Sequence, residues 1–150
     1  MQVENLAPDR TVFETGDQVF LSAAVSRNAH LYCYFAEAGG HLIRVLPNPT
    51  HPGSRVSANQ ALRIPDWMSP SPGFTLDAGT PGQESLMCLA TEADAAASVP
   101  AALMGPGLRI IDGYKGVDSV QEAFVQALGE ATVTVQTVRW KVQPRRNRSR

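Results

Sequence analysis

Residues 30–48, HLYCYFAEAGGHLIRVLPN, constrain the fold of this chain more than any other stretch. Within it, residues 31–36 are rich in aromatic side chains and contain no Gly or Pro, which favours a strand over a helix. Both faces of this strand are largely apolar under the two-residue period, so we expect it to lie in the middle of a sheet. Gly39 and Gly40 can form a tight hairpin turn, and residues 41–46 then return as a second strand.

Arg44 interrupts the apolar pattern of that second strand. A long basic side chain in a half-buried strand usually packs its aliphatic stem and keeps its charged head in water. We therefore expect a solvated Arg44 guanidinium, with Pro47 ending the strand because proline has no N–H to donate.

Further strands are predicted on both sides of this hairpin. Residues 84–91, ESLMCLAT, are apolar on both faces and predict a second buried strand. The valines of the final strand change face part-way along it, so we expect a β-bulge near Gln136 and Thr137. Weaker patterns predict short strands at residues 11–13, 19–25, 55–57, 61–64, 74–76 and 108–111, and the final strand at residues 131–142.

One helix is predicted, over residues 120–128. Ser119 and Glu122 have the spacing of a capping box, with Ser119 as the N-cap. The helix has an apolar face, and Gly129 stands where a helix-ending glycine is expected. The residues of that face are Val120, Phe124, Ala127 and Leu128.

The number and spacing of these elements indicate a mainly β protein. We predict an antiparallel β-sandwich of the immunoglobulin-like type with one α-helix in the C-terminal half, and a partly open β-barrel is the alternative. A chain of 150 residues makes one ordinary domain. We expect a flexible lead at residues 1–10, a single domain over residues 11–142 and a disordered basic tail at residues 143–150.

Charge and hydropathy limit the classes of partner. The net charge is −1, and four of the arginines lie in the tail PRRNRSR, so the rest of the chain is acidic and has no broad basic surface for a nucleic-acid backbone. No apolar run approaches the roughly 18 residues of a membrane span, and the sequence at Met1 does not read as a signal peptide. A protein partner is expected, and the oligomeric state stays open.

No constellation of residues requires a particular chemistry. His30, His41 and His51 have no metal-ligand spacing and are expected at the surface. No serine lies in a GxSxG elbow, no glycine-rich phosphate loop is present, and the carboxylates show no readable pairing. We therefore predict no catalytic, metal-binding or cofactor-binding residue, and no enzyme activity.

Cys33 and Cys88 each lie in one of the two strongest strands, on a mostly apolar face. They are expected to be buried neighbours, either as two small hydrophobic side chains or as a disulfide if the protein is exported to an oxidising compartment.

Trp67 and Met68 lie in a proline-rich loop, residues 64–74. An aromatic side chain on a constrained loop can anchor a partner at low entropic cost. The alternative is that Trp67 folds back as a lid on the core. We take Trp67 and Met68 as the candidate partner-binding loop.

Several motifs follow one another in a fixed order between about residues 11 and 142. They are Phe13 with GDQV at 16–19, LYCYF at 31–35, RVLPN at 44–48, Ile64-Pro65, Phe74 with Leu76, Gly82 with Glu84, CLA at 88–90, a helix at 118–128 and a closing strand. This order resembles DUF4384, a bacterial domain family of unknown function often found at the C-terminal end of larger envelope proteins. The resemblance implies a β-rich accessory module in the periplasm or cell envelope, and it supplies no catalytic residues.

Three functional hypotheses remain from the sequence. The first is a non-catalytic accessory or interaction module of a bacterial envelope or secretion-linked protein. The second is a small hydrolase that uses carboxylates gathered from loops. The third is an inhibitor or immunity protein of a secreted toxin.

Overall fold

The computed structural model describes residues 1–7, 9–71 and 73–146. These residues form one α-helix, Gly116–Leu128 (α1), and two short 3₁₀ turns, Ala101–Leu103 and Glu130–Thr132. The strands are Gln2–Asn5 (β1), Val12–Glu14 (β2), Leu21–Ala24 (β3), Ala29–Ala36 (β4), Leu42–Leu46 (β5), Arg55–Val56 (β6), Leu62–Ile64 (β7), Gly82–Thr91 (β8) and Val133–Gln143 (β9).

The strands make two sheets that do not close into a barrel. The larger sheet has the order β2-β9-β8-β4-β5, with β6 also paired to β4, and the smaller sheet has the order β1-β3-β7. The pairs are antiparallel except for β2 and β9, which run parallel. The structure therefore confirms the predicted β-sandwich with one late helix.

Strand β4 lies at the centre of three layers. Leu31, Cys33 and Phe35 face the smaller sheet and belong to the core between the two sheets. Tyr32 and Tyr34 point the other way and belong to a second core under α1. Both faces of the strand are covered, which confirms the central position predicted from its sequence.

The predicted bulge in β9 is wrong. The strand pairs with β8 residue by residue without interruption. Val133 and Val135 pack against the helix-side core, whereas Trp140 and Val142 lie between the sheets. The valines change face because each end of β9 is covered by a different layer, so no extra residue near Gln136 is needed.

The predicted start of the helix is also wrong, although its end is confirmed. The N-cap is Lys115, and Ser119 lies inside the first turn, where its Oγ donates to the Gly116 carbonyl at 2.8 Å. Gly116 has a φ of 72°, a conformation that glycine adopts without strain, so the chain turns into the helix earlier than the capping pattern indicated. Gly129 ends the helix, and its N–H donates to the Val125 carbonyl.

The ends of the chain are more ordered than predicted. Residues 1–10 contain β1, whose Val3 is buried, so the flexible lead is wrong for this strand. At the other end β9 includes Gln143, and Arg145 donates from Nε to the Thr15 carbonyl at 3.0 Å. Gln143 and Arg145, which the sequence places in the disordered tail, therefore make these ordered contacts, and residues 147–150 lie outside the described residues.

Arg44 is buried, which corrects the prediction of a solvated guanidinium. Its Nε donates to the Pro47 carbonyl at 3.0 Å and its Nη1 donates to the Leu103 carbonyl at 2.9 Å. The Tyr34 hydroxyl donates to the same Leu103 carbonyl at 3.0 Å. Arg44 therefore ties β5 to the 3₁₀ turn that covers the helix-side core, a contact between distant segments that the strand pattern could not indicate.

Candidate functional site

Trp67 and Met68 lie on the surface next to a third apolar residue, Phe20. The exposed fractions are 39% for Trp67, 69% for Met68 and 36% for Phe20. The rings of Phe20 and Trp67 meet edge to face, with centroids 5.4 Å apart. Trp67 belongs to neither core, so it is not the lid that was the alternative interpretation. We call Phe20, Trp67 and Met68 the aromatic patch.

Short backbone turns hold the loop that carries the patch. The Trp67 N–H donates to the Pro65 carbonyl at 2.9 Å, and the Ser69 N–H donates to the Asp66 carbonyl at 3.1 Å. The guanidinium of Arg63 lies 5.9 Å from the Trp67 ring centroid, and its Nε donates to Asp66 at 3.0 Å. The indole is therefore supported from its own loop and from β7.

A cleft of about 190 Å³ lies beside the patch. One wall is β7 with the residues just before it, including Leu62 and Arg63, and the loop residue Asp66 lies at the same rim. The opposite wall is the turn after β5, including Asn48 and His51. We call this the β7 cleft.

Asn48 fixes the far wall of the β7 cleft. Its Nδ2 donates to the Val45 carbonyl at 2.7 Å. Its Oδ1 accepts from the Thr50 N–H, the Thr50 hydroxyl and the His51 N–H, all within 3.0 Å. The RVLPN motif at 44–48 is thus a structural motif, because Arg44 and Asn48 are both buried and bonded to backbone groups.

His51 differs from the surface histidine that the sequence predicts. Its Nε2 is shielded from solvent and has no hydrogen-bond partner among the described residues. Leaving such a group unbonded costs about 1–3 kcal/mol. A lone histidine in the loop NPTHPG carries no sequence signal for this position, because the shielding of one ring nitrogen depends on tertiary packing.

Cys33 and Cys88 lie directly opposite each other on β4 and β8. Both are fully buried, their Cα atoms are 4.1 Å apart, and the structure joins them by a disulfide. The cross-link therefore lies within the larger sheet and does not connect the two sheets.

Glu84 is a buried carboxylate that sequence reasoning missed. It is only 1% exposed, and its oxygens accept from Trp140 Nε1 at 2.8 Å and from the Gly79 N–H at 3.1 Å. Burial raises the pKa of the Glu84 carboxyl above its ordinary value, and the Glu37 carboxylate adds to the rise. The two-residue period of β8 could have indicated this burial, because Glu84 lies on the same strand face as the buried Leu86.

A second polar cluster lies at the start of β4. The Nδ1 of His30 and the Oγ of Ser54 are 2.7 Å apart, which places a nucleophilic hydroxyl beside a base. Asp94 lies nearby, but its Oδ1 accepts from the Ala96 N–H and the Tyr32 hydroxyl, and these bonds lower the pKa of Asp94. Among the described residues no hydrogen bond joins Asp94 to His30, so the third member of a catalytic triad is not in place.

Residues 1–7, 9–71 and 73–146 contain no group of three or more His, Cys, Asp or Glu side chains that could hold a metal ion. No helix in this part of the chain is long and apolar enough to cross a membrane.

More than half of the chain matches one known sequence family. The sequence model described as Domain of unknown function (DUF4384) matches residues 12–94. The chain belongs to the DUF4384 family. The matched DUF4384 segment runs from β2 through β8 and includes both cysteines, the β7 cleft and the aromatic patch. No curated protein and no solved structure matches the chain.

Proposed function

We propose that this DUF4384 domain is a non-catalytic module that binds a partner protein of a bacterial envelope or secretion-linked assembly. The aromatic patch makes the contact. The observation that carries the proposal is the exposure of Trp67 and Met68 on a turn-rich loop, next to the exposed ring of Phe20.

The chemistry of the patch suits protein recognition. Tryptophan and methionine are enriched in protein interfaces, and tryptophan is among the residues that contribute most to binding energy. The Trp67 ring is held by Phe20 and Arg63 before any partner arrives. A preorganised side chain loses little conformational entropy on binding, so more of its contact energy becomes affinity.

The cysteine pair supports a place outside the cytoplasm. Disulfides persist in oxidising compartments such as the bacterial periplasm and are rare where thiols are kept reduced. The Cys33–Cys88 bond lies in the centre of the larger sheet. An envelope location is consistent with both this bond and the resemblance described from the sequence.

A non-catalytic role is supported by how the polar groups near the patch are used. Asn48 is bonded through both its amide atoms, and Asp66 accepts from Arg63. These bonds use Asn48 and Asp66 to shape and support the β7 cleft.

The test is site-specific photo-crosslinking in the native bacterium. A photoreactive benzoyl-phenylalanine at Met68 should give one discrete adduct with an envelope protein, and the Trp67→Ala change in the same chain should remove that adduct. The control places the photoreactive group at Gln126, an exposed residue of α1. Equal adducts at both positions, or none at Met68, would refute the proposed contact.

A further inference from the structure

The two edge strands of the smaller sheet, β1 and β7, differ in what covers their outer edges. On one side β1 packs against β9, and the Val3 N–H donates to the Gln136 side chain at 3.2 Å. On the other side β7 is the last strand of its sheet and borders the β7 cleft. The outer edge of β7 therefore lies at the border of the cleft.

Hydrogen-bond alternation gives the direction of the β7 backbone groups. The Leu6 N–H donates to the Phe20 carbonyl, so Phe20 directs its backbone bonds toward β1. Because these directions alternate along an antiparallel strand, the backbone N–H and carbonyl of the next residue, Leu21, must point toward β7. Leu21 is opposite Ile64, and the neighbouring pair is Ser22 with Arg63. Ile64 is therefore bonded to β3, and Arg63 directs its N–H and carbonyl away from β3.

The outward N–H of Arg63 has no acceptor among the described residues. The corresponding edge of β5 is covered, because the Leu108 N–H donates to the Arg44 carbonyl at 2.9 Å and the Ile111 N–H donates to the Leu42 carbonyl at 2.8 Å. The edge of β1 is bonded to Gln136. The β7 edge thus keeps an open donor and acceptor at the border of a cleft.

We propose that an extended segment of the partner protein adds to the smaller sheet as a fourth strand, beside β7. An open strand edge presents backbone donors and acceptors at a spacing that another extended backbone matches. Side chains of the added strand alternate between two faces, so one can reach the β7 cleft, which is lined by Asn48, Leu62 and Arg63. Another can contact Trp67, because Arg63 lies beside both the cleft and the indole. This inference rests on the proposed function and specifies how the partner binds.

The probe is a phage-displayed library of linear random 12-residue peptides, selected on the purified domain. The strongest enriched sequence is then synthesised and its Kd measured by isothermal titration calorimetry. Two substitutions at one position separate backbone from side-chain binding. Arg63→Pro removes the outward N–H, which no β7–β3 bond uses, and proline is tolerated at such edge positions. Arg63→Ala keeps the N–H and removes only the guanidinium.

Arg63→Pro should weaken binding by about tenfold or more, because a backbone bond is lost and the ring obstructs the added strand. Arg63→Ala should weaken binding much less. Equal losses in the two variants, no loss in either, or a library that yields no binder would overturn the added-strand inference.

Amide hydrogen exchange keeps the inference testable if Arg63→Pro fails to fold. In the wild-type domain, the peptide should slow exchange of the Arg63 amide, and the Ile64 amide, already bonded to β3, serves as the internal control. Unchanged exchange at Arg63 would overturn the inference.

Two more outcomes separate this inference from the proposed function. If Trp67→Ala abolishes peptide binding while the Arg63 amide stays unprotected, the aromatic patch binds the partner and the added strand is wrong. A concentration-dependent dimer of the domain alone, lost in Arg63→Pro, would identify the occupant as a second copy and overturn a foreign partner.

Discussion

The central pair β4–β8 and the β7 side of the sandwich differ in how completely their groups are bonded. Cys33 and Cys88 are fully buried and covalently joined, and every residue of β4 from Leu31 to Ala36 is buried. At β7, by contrast, a backbone N–H points outward and a histidine nitrogen has no partner in the described part of the chain. The comparison teaches that the most completely bonded part of this small domain is separate from the part for which we propose partner binding.

The largest expected loss of stability comes from the core that packs on β4. Phe124→Ala should lower the free energy of unfolding by about 3–5 kcal/mol, because the ring is fully buried and a cavity remains. Its ring contacts Tyr32 and Tyr34 of β4, with centroids 5.5 and 6.1 Å away. Urea denaturation measures the change. On the β7 side, Trp67→Ala should cost less than about 1 kcal/mol, and equal costs for the two variants would remove the contrast.

The disulfide should have the next largest effect. The two cysteines are 55 residues apart, and a loop of that size stabilises the folded state by roughly 4 kcal/mol in the chain-entropy model, with measured values often lower. Replacing both Cys33 and Cys88 by Ala should lower the urea midpoint accordingly. Counting free thiols in denatured, non-reduced protein from the cell gives the redox state, where zero supports the bond and two rejects it for that preparation.

Glu84 makes the stability of the centre depend on pH. A carboxyl whose pKa is raised in the folded state binds its proton more tightly there than in the unfolded chain. Its contribution is fully present below the unfolded pKa, near 4.5, and is lost as pH rises through the folded value. The advantage of wild type over Glu84→Gln should therefore shrink as the pH rises above about 4.5, the ordinary pKa of the group, measured by urea denaturation across a series of pH values. A difference that stays constant or grows with pH would contradict this assignment.

A smaller effect is expected on the closed β1–β9 side. Gln136→Ala removes the acceptor of the Val3 N–H and should cost about 1 kcal/mol. Hydrogen exchange at Val3 should become faster, so that this edge resembles the open edge of β7. Gln136→Glu, which keeps an acceptor at the same position, is the matched control and should keep the slower exchange.

The smallest effect is expected at the helix start. Ser119→Ala should change stability by less than about 0.5 kcal/mol, because the hydroxyl donates inside the first turn and caps no N–H. A loss of about 1 kcal/mol would instead match an N-cap. Thermal denaturation distinguishes the two outcomes.

The parts of the fold that sequence predicted are those with strong local patterns. β4 and β8 are apolar on both faces, so their central position follows from periodicity alone. β1 has the sequence QVEN and buries only Val3, which gives no readable pattern. Ser119 and Glu122 do have the spacing of a capping box, but the helix begins earlier, at Gly116, whose φ is positive.

The candidate site was only partly readable from sequence. The exposed Trp67 and Met68 follow from a proline-rich loop, which is a local property. The β7 cleft does not follow from a local pattern. It forms between residues 48–51 and residues 60–63, and the tertiary fold brings these two segments together. The open edge at Arg63 likewise depends on which side of β7 pairs with β3, and no single-sequence pattern specifies that choice.

The position of the disulfide bears on how far the proposed binding side can vary in sequence and length. Both walls of the β7 cleft and the loop bearing Trp67 belong to the stretch between Cys33 and Cys88, whose Cα atoms are 4.1 Å apart. The disulfide joins the two ends of that stretch. The entropic cost of closing a loop rises only slowly with the length of the loop. Changes of length in the turns at residues 48–54 and 65–71 should therefore be tolerated while the anchoring strands stay in place. For the engineer, the same turns are the natural graft sites for redirecting the domain to a new target.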